Sequence, residues 1–138
     1  SASMLTLSAY KGFLAFSLLL VLLSAAADGF VETITHHYSS FQDRFPSANP
    51  YWWNPALSWD NKEAGLWAGT VEVIGSDAYH LFRFVSRVLL FGAAYSLGNL
   101  SPAAYSESRM FGRFALATLA SVAVAWWLGF YFVYALLF

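Results

Sequence analysis

Residues 28–38, DGFVETITHHY, place two carboxylates and two imidazoles directly after a long apolar run. If a helix carrying that run continues, a rotation of about 100° per residue puts Asp28, Glu32, Thr35 and His36 on one face, at i, i+4, i+7 and i+8, with His37 on roughly the opposite side. Unpaired charges and imidazoles are expensive among lipid or packed protein. Such groups therefore pair, titrate to neutral, bind a metal or face water. A second set follows at Asp77, His80, Arg83 and Arg87, which share an arc of roughly 120° on a helical wheel. In it, Asp77 and His80 stand at i, i+3, a spacing that can chelate one ion from a single helix surface.

If the two helices meet at the same membrane face, Glu32, His37, His36, Asp77 and His80 supply enough nitrogen and oxygen ligands for zinc, iron or manganese. Water on such an ion becomes a nucleophile as its pKa falls, with Asp28 as base or support to the ligands and Lys62 as the other candidate catalytic group. Asn61, Lys62, Arg83 and Trp59 are the candidate substrate contacts, the two cations for an anionic headgroup or phosphate. Simpler readings stand beside these. The polar groups can form a hydrogen-bonded cluster joining the helices, Asp77 can be a helix N-cap, and Arg83 and Arg87 can snorkel. No GxSxG motif occurs, which makes a serine nucleophile unattractive.

The elements that must position these residues are legible in the composition. The chain has 138 residues, 59% hydrophobic, 20% aromatic and 11% charged, against about 25% charged in an average soluble domain. One all-α membrane domain with three transmembrane helices is the expectation. Its formal net charge of −1 and lack of a basic stripe argue against nucleic acid as a partner. The absence of cysteine excludes disulfides and thiolate chemistry.

Residues 1–3 read as the scar of a cleaved tag, with Met4 the native start. Residues 5–38 form the first helix with its polar extension; residues 5–27 are long enough to span a hydrocarbon core of about 30 Å, although they also fit a signal peptide. Residues 39–76 carry Pro46, Pro50 and Pro55 and the aromatics Tyr51, Trp52, Trp53, Trp59 and Trp67. They read as an ordered interfacial loop with short helical turns, lying on the bilayer surface as a cap. Residues 77–97 are the second span and residues 111–138 the third. In the third span, Gly112, Ala115, Ala117, Ala120 and Ala123 offer surfaces for close helix approach, and Trp126 and Trp127 read as packing residues. Lys11, Arg109 and Arg113 on one side, against Arg44 and Lys62 on the other, favour an inward N-terminus and an outward loop.

The same residues resemble a family of short, uncharacterised bacterial membrane proteins. That family carries a DG-x-x-D-x-x-x-x-HY block, an aromatic FW-x-P-x-x-SW-x-NK loop and a TD-x-WHLFK block. The counterparts here are Asp28-Gly29, Glu32 and His37-Tyr38; Trp52 to Pro55 with Ser58-Trp59 and Asn61-Lys62; and Ser76-Asp77 with Tyr79 to Arg83. The match covers the middle half of the chain, with Glu for Asp, Tyr for Trp and Ser76 for Thr. It implies the bacterial inner membrane. It also favours His37 where the helical wheel favours His36, and a helix ending or widening near Thr35 would turn His37 inward. The resemblance selects residues without naming a reaction.

Three functions follow as expectations. The first is a metal-dependent membrane enzyme acting on a lipid or lipid-linked substrate, by hydrolysis or by nonhaem-iron oxidation. A second is a non-catalytic subunit or scaffold, homo-oligomers included, whose polar cluster fixes helix register. The third is a proton or ion path through Asp28, Glu32, His36, His80, Arg83 and Arg87.

Overall fold

The computed structural model describes residues 2–63, 66, 68–98 and 108–137, with side chains from residue 11 onward in the first helix and from residue 115 onward in the last. Trp67, residues 99–107, the first ten side chains and those of Arg109, Gly112 and Arg113 lie outside the described residues. Helix α1 runs Ala2–His36 and is followed by α2, Tyr38–Arg44. The chain breaks at His37, whose φ of −136° and ψ of 40° leave the helical region. This break falls one residue short of the expected end of the polar extension. It separates the two adjacent histidines.

Two Asn-Pro pairs then write two short helices into the cap. Asn49 and Asn54 each accept a bond at 3.0 Å, from the amides of Tyr51 and Ala56, while Pro50 and Pro55 open α3 (Pro50–Trp53) and α4 (Pro55–Ser58). An Asn cap satisfies a free amide, and a following proline has no N–H to leave unpaired. A 3-10 turn over Trp59–Glu63, helix α5 (Val73–Ser76), α6 (Ala78–Gly98) and α7 (Ser108–Leu137) complete the chain. No strand occurs among the described residues. Three helices, Lys11–His36 within α1, α6, and Ala115–Leu137 within α7, are long and apolar enough to cross a membrane. The protein is therefore an all-α membrane protein with three candidate spans.

Helix α1 is the centre of the fold, because α6 and α7 both pack along it rather than along each other. It meets α6 antiparallel through three polar contacts. Arg83 Nη1 lies 3.5 Å from Asp28 Oδ1, Ser24 Oγ donates to the Ser86 carbonyl at 2.9 Å, and Ser96 Oγ donates to the Phe13 carbonyl at 3.3 Å. Between these contacts lie Val21, Ala25 and Ala93, all buried. Helix α7 runs parallel to α1, and two glycines lie in close backbone contact across the pair. A Cβ on Gly129 would fall on the Leu22 carbonyl, and one on Gly29 would sit 2.9 Å from the Phe130 carbonyl.

Of the small residues expected at such an approach, Gly112 lies outside the described residues. Ala120 lines an open groove with Leu18, Leu22 and Leu128. Trp126 and Trp127 stack on Phe130 and Tyr131 along α7, at 5.2 and 5.3 Å between ring centres. Both tryptophans are exposed, so they serve the outer surface of the bundle rather than its interior.

Candidate functional site

The cap is fastened to α6 at Asp77. This residue lies in extended backbone just before the helix, is only 2% exposed, and has both carboxylate oxygens occupied. Oδ1 accepts the His80 backbone amide and pairs with His80 Nδ1, each at 2.8 Å, while Oδ2 accepts from Ser58 Oγ at 3.2 Å. Asp77 is therefore an N-cap, capping the third helical amide, and its spacing to His80 reflects that role. A carboxylate only accepts, so the imidazole donates from Nδ1 and presents Nε2 as its acceptor. The serine meets the carboxylate rather than the imidazole. That order differs from a Ser-His-Asp nucleophile, in which the imidazole stands in the middle.

Asn61 reinforces the same junction. Its Nδ2 donates to the carbonyls of Tyr51 at 2.6 Å and Ser76 at 3.1 Å, tying the 3-10 turn to α3 and to the start of α6. The Lys62 ammonium lies over the Trp59 ring. Beneath the cap, Ile34, Phe41 and Ala78 are buried against Tyr38, Trp52, Trp53, Tyr79 and Phe82. A cavity of about 330 Å³ opens beside this cluster, lined by Phe30, Phe41, Phe45, Ser47, Ala48 and Trp53.

The two histidines at the end of α1 part company. His36 stays on the helix beside Glu32, with Nε2 3.4 Å from Oε2 and the imidazole 63% exposed. The break turns His37 toward α7, where its Nε2 and the Tyr134 hydroxyl are 2.6 Å apart and the rings meet edge to face at 5.5 Å. Asp28 is buried between helices with Arg83, whose guanidinium also lies 5.5 Å from the Tyr79 ring centre.

The expected metal ligands are thus distributed over three places: Glu32 with His36, His37 with Tyr134, and Asp77 with His80. Among the described residues no group of three or more such side chains is close enough to hold an ion. Asp28 and Arg83 pair with each other, and Lys62, Trp59 and Asn61 are engaged within the cap. No family model, curated protein or solved structure matches this chain.

Four partner residues carry no signal of their pairing in the sequence. Ser58 was visible only as part of the SW-x-NK block, with no signal linking it to Asp77. Tyr134 sits in an aromatic run where any of several rings could have met His37. Ser24 and Ser86 are single hydroxyls in apolar spans, and only the antiparallel register pairs them.

Proposed function

We propose that this chain is a non-catalytic integral membrane subunit that presents a rigid aromatic cap at the membrane surface and assembles with other membrane proteins. The observation that carries this reading is the closure of each candidate chemical group on a structural partner. Asp77 fastens cap to helix, Asp28 and Arg83 join α1 to α6, and His37 joins the helix break to α7. Polar contacts of this kind set the register of helices that lipid would otherwise leave free to slide. The charge balance of Lys11, Arg109 and Arg113 against Arg44 and Lys62 supports a place in a bacterial cytoplasmic membrane with the cap outward.

Cross-linking the protein in its host membrane, followed by native mass spectrometry of the purified species, tests this. The expected result is a defined complex of fixed stoichiometry without bound metal. Stoichiometric zinc, iron or manganese, lost in both His80→Ala and Glu32→Ala, would overturn it in favour of a metal-dependent enzyme.

A second reading draws on the aromatic cavity. Its lining of Phe30, Phe41, Phe45 and Trp53 suits the hydrocarbon tail of a lipid or lipid-linked molecule. Saturable protection of Trp53 fluorescence from quenching by brominated lipid, abolished by Ala48→Trp, would favour this reading.

A further inference from the structure

Among the described residues, Arg87 is the one cation of α6 without a partner. It is exposed, and among the described residues it makes no ion pair or hydrogen bond. Its depth makes this exposure consequential. Arg87 is the tenth of the 21 residues of α6, next to Ser86. Ser86 bonds Ser24, and Ser24 lies at the midpoint of the Lys11–His36 span. With α1 and α6 crossing a bilayer as their length and composition allow, a guanidinium at that level faces the middle of the hydrocarbon layer. It cannot shed its charge as a carboxyl or an imidazole can, and charged side chains at this depth turn toward protein or water rather than lipid.

Among the described residues no carboxylate meets it. Helices α6 and α7 contain no Asp or Glu, and within the α1 span there are two, Asp28 and Glu32. Asp28 is buried and already paired with Arg83. Glu32 is eight residues beyond Ser24, about 12 Å higher along the helix, so a second copy in the same orientation presents no acid at the right depth. Snorkelling is also a long reach. The start of α6 is nine residues away, about 14 Å. Around Arg87 the exposed face is apolar: Phe84 and Phe91 flank it at one-turn spacings, and exposed Val88 follows it directly. A central arginine ringed by large apolar side chains is the composition of an interface anchor.

We infer that the Phe84, Arg87, Val88 and Phe91 face of α6 docks a transmembrane helix of a different protein, one that carries an Asp or Glu at mid-membrane depth. The carboxylate meets the guanidinium fork, and the apolar residues around the pair exclude lipid and water from it. This rests on the assembly reading and adds the chemistry of the partner.

The probe is a set of leucine-alanine transmembrane peptides bearing Asp, Asn or Leu at the centre, reconstituted with the full chain in phosphatidylcholine vesicles. The natural chain has no cysteine, so Ser39→Cys on the exposed cap gives one site for a fluorophore, and energy transfer reports association. The Asp peptide is expected to associate at least tenfold more strongly than the Leu peptide. Arg87→Leu and Arg87→Gln remove that preference and Arg87→Lys keeps part of it, with thermal unfolding showing that each variant is folded. Equal association of all three peptides, or an Asp preference that survives Arg87→Leu, overturns the proposal; equal association also leaves lipid phosphate as the partner of Arg87. A complex that persists in host membranes while the peptides fail would sink this docking face alone and leave the assembly reading standing.

Discussion

His80 binds Asp77 twice, through its backbone amide and through its ring, and both bonds end on the same carboxylate oxygen at 2.8 Å. With Ser58 on the other oxygen, one buried side chain joins the aromatic cap to the first turn of α6. Asp77→Ala removes an N-cap and strands a buried hydroxyl, and is expected to destabilise the fold by about 2–3 kcal/mol. Asp77→Asn keeps an acceptor for His80 and is milder, as is Ser58→Ala at about 1 kcal/mol. Unfolding in detergent micelles, followed by tryptophan fluorescence, orders the three; an Asp77→Ala midpoint equal to the parent's would remove this residue as the fastening point.

His37 and Tyr134 make the corresponding bolt on the other side of α1. Tyr134→Phe keeps the ring and loses the hydroxyl, for an expected loss of about 1 kcal/mol. His37→Phe and the double variant complete a cycle. Coupling near zero would show that the two rings are neighbours without supporting each other.

The alkaline limb of the stability curve carries a contribution from Tyr38. Burial pushes its phenol up from the ordinary value of 10.0, and its hydroxyl donates to Gln42 Oε1. A group that holds its proton more tightly when folded contributes stability that is whole below the unfolded-state value and is lost as pH rises through the folded-state value. Tyr38→Phe is therefore expected to flatten the loss of stability above about pH 10 while leaving neutral pH little changed. Unfolding midpoints collected from pH 8 to 11 check this, and an unchanged alkaline slope would contradict it.

How far the sequence carried the fold depends on range. The three spans were legible because apolar runs near 20 residues have few other uses, and the cap's short helices because Asn-Pro writes its own cap and first turn. Site composition was half legible. Helical spacing placed Asp77 with His80 and Glu32 with His36, both within one turn, and both pairs exist. What spacing could not supply was the register between helices. That register places Asp28 against Arg83, while the break at His37 turns its ring to α7, so residues that share a functional vocabulary end in separate places. Arg87 shares the arc of Asp77 and His80 on the wheel, yet it lies about two turns beyond His80 along the helix and is exposed.

Gly129 sets the distance between α1 and α7. Any Cβ there meets the Leu22 carbonyl, which is backbone and cannot swing aside, whereas Gly12 has open space around the same position. In Gly129→Ala the helices must separate or shift, for an expected loss of about 1–3 kcal/mol that outweighs the helix propensity gained. Gly29→Ala is milder in geometry, with contacts at 2.9 and 3.2 Å to Phe130 and Val133, and the smaller loss belongs there. Gly12→Ala is expected to be neutral or slightly stabilising. The three midpoints separate packing from propensity: propensity alone would stabilise all three alike, whereas a close approach at the α1–α7 seam predicts opposite signs for Gly129 and Gly12. A second readout follows the spacing itself. With spin labels on exposed Leu23 of α1 and exposed Trp127 of α7, the measured separation should lengthen in the Gly129→Ala background, because the added methyl holds the two backbones apart, and an unchanged separation would show that α7 accommodates it by local bending.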